Sequence, residues 1–517
     1  MTSRTRRMAQ AAGIVMIAFM LSRVLGLVRE MVIARQFGTS LELAAYLAAF
    51  RVPDFIFYLI AGGALGSAFI PTFTEYLTLG DEEEAWLLAS AAFNLVGFVL
   101  ATAAIAAAII APLLARLIVP GFDAATQALT AQLMRVMLIA PVVFGISGLV
   151  MGVSHSHRHF LAPALAPVFY NLSIILAALF FGPRMGVGAL AAGVVVGALL
   201  HLLIQVPILV RIGVRYTPVL GLNHPGVREV GRLMGPRILG LAAVQVNFVV
   251  NTILASGLGA AALPALNYAW LLMMLPQGMF AMALATVAFP TFSELAARND
   301  WTGLRSTLSA TLRTVLYLTV PAGVGLLVLR TPLIEALLQR GSFTEASTSA
   351  VALALQFYAL GLFAHAAVEI VVRAFYALHD TKTPVAIGLS AMVINIVLSL
   401  ILIRPLSFGG LALANTLATI GEMAVLVWIM HRRLGGIDAY RLAGSALRIA
   451  LAASLMAAAI FSFARGLPAA DPLWVTVGAI SIGAVLYVGV TILIGSHEIG
   501  AVLRLAQSRR VGERGLT

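Results

Sequence analysis

Apolar runs of about 20 residues follow one another from end to end of this chain, and that recurrence decides the fold class. About 20 residues is the length at which a helix crosses a hydrocarbon core of roughly 30 Å. Inside such a core every backbone N–H and C=O must be satisfied within the chain, which leaves only helices or a closed barrel. The alternating strand pattern of a barrel is absent. The runs lie near 9–36, 43–74, 86–112, 128–153, 160–181, 187–210, 230–256, 263–292, 308–329, 347–376, 384–403, 409–430, 443–464 and 473–495. Composition agrees: 61% of the 517 residues are hydrophobic and 10% charged, where a soluble domain carries about 25% charged residues. The expected fold is all-α, a polytopic membrane protein of about 14 transmembrane helices.

The stretch "MTSRTRRMAQ" followed by "AAGIVMIAFM" has the outline of a secretory signal. No polar mature sequence follows it, so it reads as a retained first helix. With no cysteine in the chain, disulfides and thiol chemistry are excluded. No Walker A, metalloprotease or nucleophile-elbow pattern occurs, so no enzyme is expected and no metal site. A net charge of +12 would suggest nucleic acid in a soluble protein. Here the charge sorts by side of the membrane instead. Counting from the N-terminus, 18 Lys and Arg fall on one side and 6 on the other. The positive-inside rule then places both termini in the cytoplasm, and no nucleic-acid partner is expected.

The chain also repeats itself. "SRVLGLVRE" at 22–30 is echoed by "PRILGLAAV" at 236–244, and "AFIPTFTEYL" at 68–77 by "AFPTFSELAA" at 288–297. "PGFDAATQAL" at 120–129 is echoed by "GSFTEASTSA" at 341–350, and Pro163 by Pro384. Offsets of 214 to 221 residues in one order give two six-helix lobes, 1–222 and 223–436, with an additional helix pair and tail at 437–517. An even number of spans keeps both copies in one orientation, as in transporters built from parallel repeats, whose substrate sites lie between the halves.

Charged residues within the spans are the candidates for function. The first run carries Arg23, Arg29 and Glu30 around Ser22 and Gly26; the second carries Arg51, Pro53 and Asp54; Arg237 stands at the matching place in the second lobe. An arginine at membrane depth costs roughly 2.5–3.5 kcal/mol on insertion scales. Arg23 and Arg29 do not share a face of a straight helix, and a bend near Gly26 would let both line one cavity. Pro53 is expected to kink the second helix. The alternatives stand open: private ion pairs, such as Arg51 with Asp54 or Arg29 with Glu30 of a neighbour, snorkelling of Arg29 to the interface, or a cationic cavity. Guanidinium binds phosphate through a planar fork of donors, so such a cavity suits a phosphate-bearing anion. His365, Glu369 and Arg373 fall at i, i+4 and i+8 on one helix face, as an ion relay or a structural network. Asn395, Asn415 and Glu422 carry the oxygens that a sodium site would need. His155, His157 and His159 alternate in a short loop and read as a solvated turn.

The motifs "SRVLGLVRE", "FG" at 37–38, "AGGALGSAFIPTFTEY", "NTILAS" at 251–256 and "AFYALHDTKTP" at 374–384 resemble the MurJ/MviN family of bacterial lipid II flippases, within the multidrug and oligosaccharide–lipid exporter superfamily. The resemblance runs over about residues 10–500. It implies flipping of an undecaprenyl-pyrophosphate-linked peptidoglycan precursor to the outer leaflet of the bacterial inner membrane by alternating access. It also implies that Arg23, Arg29 and Arg51 contact the pyrophosphate, with Arg237 opposite. No bound cofactor is implied; a coupling cation, Na+ or H+, or the membrane potential would drive transport. Lipid II or a related polyprenyl-pyrophosphate glycolipid, membrane lipids and cell-wall synthesis or division proteins are the partners it implies. The chain departs from the family pattern at Phe57, Trp270 and Leu271, where some members carry charges, and at Ala44, with Glu42 nearby. Another lipid-linked oligosaccharide or an amphiphilic drug is the alternative cargo.

Overall fold

The computed structural model describes residues 3–60, 68–467, 471–496, 498 and 500, with side chains except at 3–14, 60, 233–244 and 439. All regular elements among the described residues are helices. In chain order they are α1 (Ser3–Phe37), α2 (Leu41–Ala49), α3 (Arg51–Ile60), α4 (Ile70–Leu79), α5 (Glu82–Ile109), α6 (Ala111–Ile118), α7 (Ala124–Met137) and α8 (Ile139–Ser156). Then come α9 (Leu161–Leu176), α10 (Gly182–Met185), α11 (Val187–Leu203), α12 (Val206–Ile212), α13 (Pro225–Ser256), α14 (Ala262–Pro276), α15 (Ala283–Ala297) and α16 (Trp301–Val328). The last six are α17 (Arg330–Leu338), α18 (Glu345–Ala377), α19 (Lys382–Leu406), α20 (Phe408–Arg433), α21 (Ala439–Gly466) and α22 (Pro472–Leu493). Short π-helical turns at Ala177–Phe181 and Gln277–Met282 carry α9 into α10 and α14 into α15.

Eleven helical stretches among the described residues are long and apolar enough to cross a bilayer, and each coincides with one expected run. The three other runs hold α1, α2 to α4, and α13, which carry the intramembrane arginines of the first two runs and Arg237. The fold is therefore an all-α polytopic membrane protein, as the pattern of apolar runs requires.

The repeat is visible in the backbone as well as in the sequence. Asp81 and Asp300 cap α5 and α16 in the same way, each side chain accepting from the N–H three residues on. The chain breaks at Ile110 (φ −90°, ψ 10°) before α6 and at Leu329 (φ −92°, ψ 13°) before α17. Left-handed residues recur in pairs: Gly80 with Asn299, and Arg158 with His379. Gly186 (φ 56°, ψ −144°) pairs with Ser407 (φ 52°, ψ −138°). All these pairs stand 219 or 221 residues apart. Ser407 holds a conformation that glycine adopts far more readily than a residue with a Cβ, so the second copy keeps the turn with serine where the first has glycine.

The compact units do not divide where the repeat does. One unit comprises Met1–Leu263 and the other Pro264–Thr517. In the first, α1 packs on α9, α9 on α11, α5 on α8, and α2 on α7. The same unit takes in α13, the opening helix of the second repeat, which packs on α3, α4, α5 and α6. In the second unit α18 is the central element, flanked by α15, α16, α17 and α20, with α19 held on α20. Its main core joins Phe292, Leu308, Leu312, Ile370 and Phe375. The pair α21–α22 packs on α16 and α17, closed by Tyr317, Ile449, Met456 and Tyr487.

Candidate functional site

Arg29 is built into a three-part polar junction within the first unit. Its Nε and Nη2 donate to Glu30 Oε1 at 3.1 and 2.6 Å, and its Nη1 donates to Asn171 Oδ1 at 3.1 Å. Asn171 sits on α9, and its Nδ2 donates in turn to the Ser22 carbonyl at 3.2 Å. Glu30 is buried and belongs to the same helix as Arg29, so the arginine's carboxylate is its own neighbour and not one from another chain. Three of the five guanidinium N–H donors are thus engaged and the plane is fixed.

The bend expected in α1 does not interrupt the helix, which runs unbroken through Gly26 from Ser3 to Phe37. A Cβ at Gly26 would lie 3.9 Å from Asn171 Nδ2, an ordinary contact, so the glycine lets α9 approach without being required for it. Arg23 is exposed, while Arg29 faces α9. The structure does not bring these two arginines together.

The second arginine lies at a break in the second run. The helix stops at Ala49, turns at Phe50 and resumes at Arg51. The break thus precedes Pro53 instead of falling on it. Pro53 occupies the first turn of α3, where its missing N–H leaves no helical bond unmade, and its ring no longer meets an i−4 carbonyl. Asp54 N–H resumes the ladder to Phe50 O at 2.9 Å. Arg51 Nε donates to Thr252 Oγ1 on α13 at 2.8 Å, and its guanidinium lies 5.4 Å from the Phe248 ring centroid. The side chain of Arg237 lies outside the described residues; its backbone belongs to α13.

In the second unit the expected row on α18 divides. Glu369 pairs with Arg373 at 2.9 Å, while His365 turns to α20, its Nε2 lying 3.2 Å from Asn415 Oδ1 and 3.4 Å from Thr419 Oγ1. Asn395 is buried on α19 and accepts from Ser399 at 3.3 Å. Of the oxygens proposed for a sodium site, those of Asn395 and Asn415 are bonded to separate neighbours, while Glu422 on α20 has no hydrogen bond among the described residues. No group of three or more metal-ligating side chains occurs among the described residues. Of the three histidines expected in a solvated turn only His159 is exposed; His157 is half-buried, its Nδ1 2.9 Å from Val153 O and its ring stacked on Trp86.

Partners that the sequence did not reveal are Asn171, Thr252 and the buried node of Ser147, His201 and Gln205. Ser147 Oγ lies 2.7 Å from His201 Nδ1 and accepts from Gln205 Nε2 at 2.7 Å. A lone amide or hydroxyl in an apolar run, as in "VFYNLSII", is the one signal available beforehand.

With this geometry in hand, comparison with known proteins becomes informative. The sequence profile of the family described as lipid II flippase MurJ matches residues 33–471. A probable lipid II flippase MurJ of Vibrio cholerae is 31% identical over 441 residues, 83% of either chain. This chain belongs to the MurJ family. The lipid II flippase MurJ of Burkholderia cenocepacia is 32% identical over 405 residues, 76% of this chain and 78% of that one. Among solved structures, a lipid II flippase MurJ in an inward closed conformation aligns with a TM-score of 0.79 at 26% identity, covering 93% of this chain and 98% of that one. A multidrug MATE transporter of the MOP superfamily aligns at 0.68 and 14% identity over 82% of this chain and 98% of that one, which shows a shared fold alone. At two of the three positions where the resemblance implied charges, 57 and 270, this chain has aromatics, and at the third it has Leu271. Phe57 packs edge-on against Phe144, which meets His201; Trp270 packs edge-on against Tyr358 and His365.

Proposed function

We propose that this MurJ-family protein flips lipid II from the inner to the outer leaflet of the bacterial cytoplasmic membrane. The reading is supported by family membership together with two guanidinium groups, Arg29 and Arg51, held at fixed positions within the membrane spans. The pyrophosphate sits on Arg29 and Arg51, with Arg23 and Arg237 completing the cationic set. Arg29 keeps its plane through Glu30 and Asn171, so its remaining N–H donors meet a phosphate without first being ordered; such preorganisation spares binding energy. The site is exposed alternately to the two sides of the membrane, driven by a cation or by the membrane potential. Cell-wall synthesis proteins receive the product outside.

Both termini are proposed to be cytoplasmic. Cysteines placed at His157 and Pro405 test this directly in a chain that has none: only position 405 should label from outside the cell. Function is tested by depleting a bacterium of its own lipid II flippase and supplying this chain. Growth and outward-accessible lipid II are expected with the native protein, reduced flipping with Arg29→Lys, which keeps the charge and loses the fork, and none with Arg29→Ala, Glu30→Gln. A native chain that reaches the membrane but restores neither growth nor accessible lipid II overturns the proposal, and another lipid-linked cargo is then the reading to pursue.

A further inference from the structure

The sequence places four carboxylates within the spans; the structure pairs two of them and leaves Asp54 and Glu422 without a hydrogen bond or ion pair among the described residues. Glu30 bonds Arg29, Glu369 bonds Arg373, and Asp54 stands one turn from Arg51 on α3. Glu422, midway along α20, has no hydrogen bond or ion pair among the described residues, and no charged side chain acts on it. It is half-buried and points at α19, where its Oε1 lies 3.5 Å from the Cβ position of Gly388. Glycine there leaves room beside the carboxyl. Asn415, Thr419 and Glu422 follow one another at i, i+4 and i+7, one face of α20, and His365 of α18 closes the first part of that face.

We propose that Glu422 is a proton-exchanging carboxyl of this protein, taking up and releasing H+ during its working cycle. A carboxylate in a membrane span without a partner marks a functional site. A metal cation fits the site poorly, because a hard cation needs several converging oxygens. Asn415 Oδ1 and Thr419 Oγ1 are engaged with His365, and Asn395 Oδ1 with Ser399. Of the elements packed on α20, α18 carries His365, which bonds Asn415 and Thr419, and Glu369 and Arg373, which pair with each other; α19 offers no titratable side chain between Lys382 and Arg404. The coupling part of the proposal rests on the flipping function, while the protonation part does not.

Dicyclohexylcarbodiimide, which adds across the O–H of a carboxylic acid to leave a stable N-acylurea, reads the protonation in native membranes. Peptide mass spectrometry should find the adduct on Glu422, with its yield falling as pH is raised from 5 to 9 and no adduct on Glu369. The second arm uses proteoliposomes containing lipid II. An outwardly directed or inwardly directed pH gradient should change the native flipping rate at least tenfold between its two directions, and Glu422→Gln should lose that response while keeping a normal melting temperature. An unlabelled Glu422 at every pH, or a Glu422→Gln protein that responds to the gradient as the native one does, overturns the proposal. Should lipid II itself not be moved, the carbodiimide arm still decides whether Glu422 exchanges protons.

Discussion

The two copies of the repeat solve the same problem, a histidine inside a membrane span, with opposite assignments. In the first copy His201 stands on the sixth span and is met by Ser147 on the fourth. In the second copy His365 stands on the tenth span and is met by Asn415 and Thr419 on the twelfth. At offset 221 the position of His365 corresponds to Phe144, and that of His201 to Glu422. The helix pair is conserved between the copies and the polar residue has changed sides. A duplicated membrane fold thus keeps its turns and its helix contacts, while the polar chemistry within it is free to migrate. What each copy must preserve is satisfaction of the buried group, since an unpartnered one costs about 1–3 kcal/mol.

The largest expected effect lies in the first copy alone. Arg29→Ala strands Glu30, which is buried, and removing one partner of a buried pair costs about 3–5 kcal/mol. Melting in detergent should fall sharply, and Glu30→Gln should restore most of it. No counterpart exists at Ala243, so Ala243→Arg should not create a matching gain. A large stability loss that persists in the double variant would show that Arg29 holds the fold through Asn171 instead.

Next come the two histidine nodes. Ser147→Ala removes the hydroxyl shared by His201 and Gln205 and should destabilise by about 1–3 kcal/mol. Thr419→Val should matter less, about 0.5–1.5 kcal/mol, because Asn415 still meets His365. Equal losses would erase the claimed difference between the copies.

A smaller contrast concerns the turns that precede α9 and α19. Asp380 accepts from Thr383 N and Oγ1 at 3.0 and 2.6 Å and pairs with Arg433 at 2.6 Å. Burial alone would raise its carboxyl, but the Thr383 donors and Arg433 outweigh it and hold it below the usual range. A carboxyl lowered in the folded state contributes stability that is complete above its unfolded value and lost as pH falls through the folded one. Acid should therefore speed amide exchange in the 378–383 turn more than in the equivalent turn at 157–162, where His159 stands in place of the Asp380 carboxylate. The smallest effect is Ser407→Gly, which relieves a backbone that glycine tolerates at Gly186; it should stabilise by up to about 1 kcal/mol. A destabilised Ser407→Gly would mean that the serine side chain helps to hold this conformation.

The contrast also explains what could be read beforehand. Spans and repeat were legible because apolar runs and turn landmarks are local properties of the chain. The arginines stood out for the same reason. Their partners did not: Asn171 lies 142 residues from Arg29 and Thr252 lies 201 from Arg51, and only the packed helices bring them together. The expected kink at Pro53 was displaced to Phe50 because the ring constrains the residues before it. The fate of the His365 row depended on α20 lying beside α18, which spacing along α18 alone does not contain.

The seating of α13 in the first unit has a consequence for how the protein is made. Synthesis proceeds at roughly 5–20 residues per second and domains generally fold as the chain emerges. When the first repeat has been threaded into the membrane, its own unit is still incomplete, because α3 to α6 await a helix encoded after residue 222. The first unit closes only when the opening helix of the next copy arrives. A gene severed between the repeats would yield a leading fragment lacking its last helix, whereas a ribosome stalled beyond Leu263 would already hold the whole of that unit.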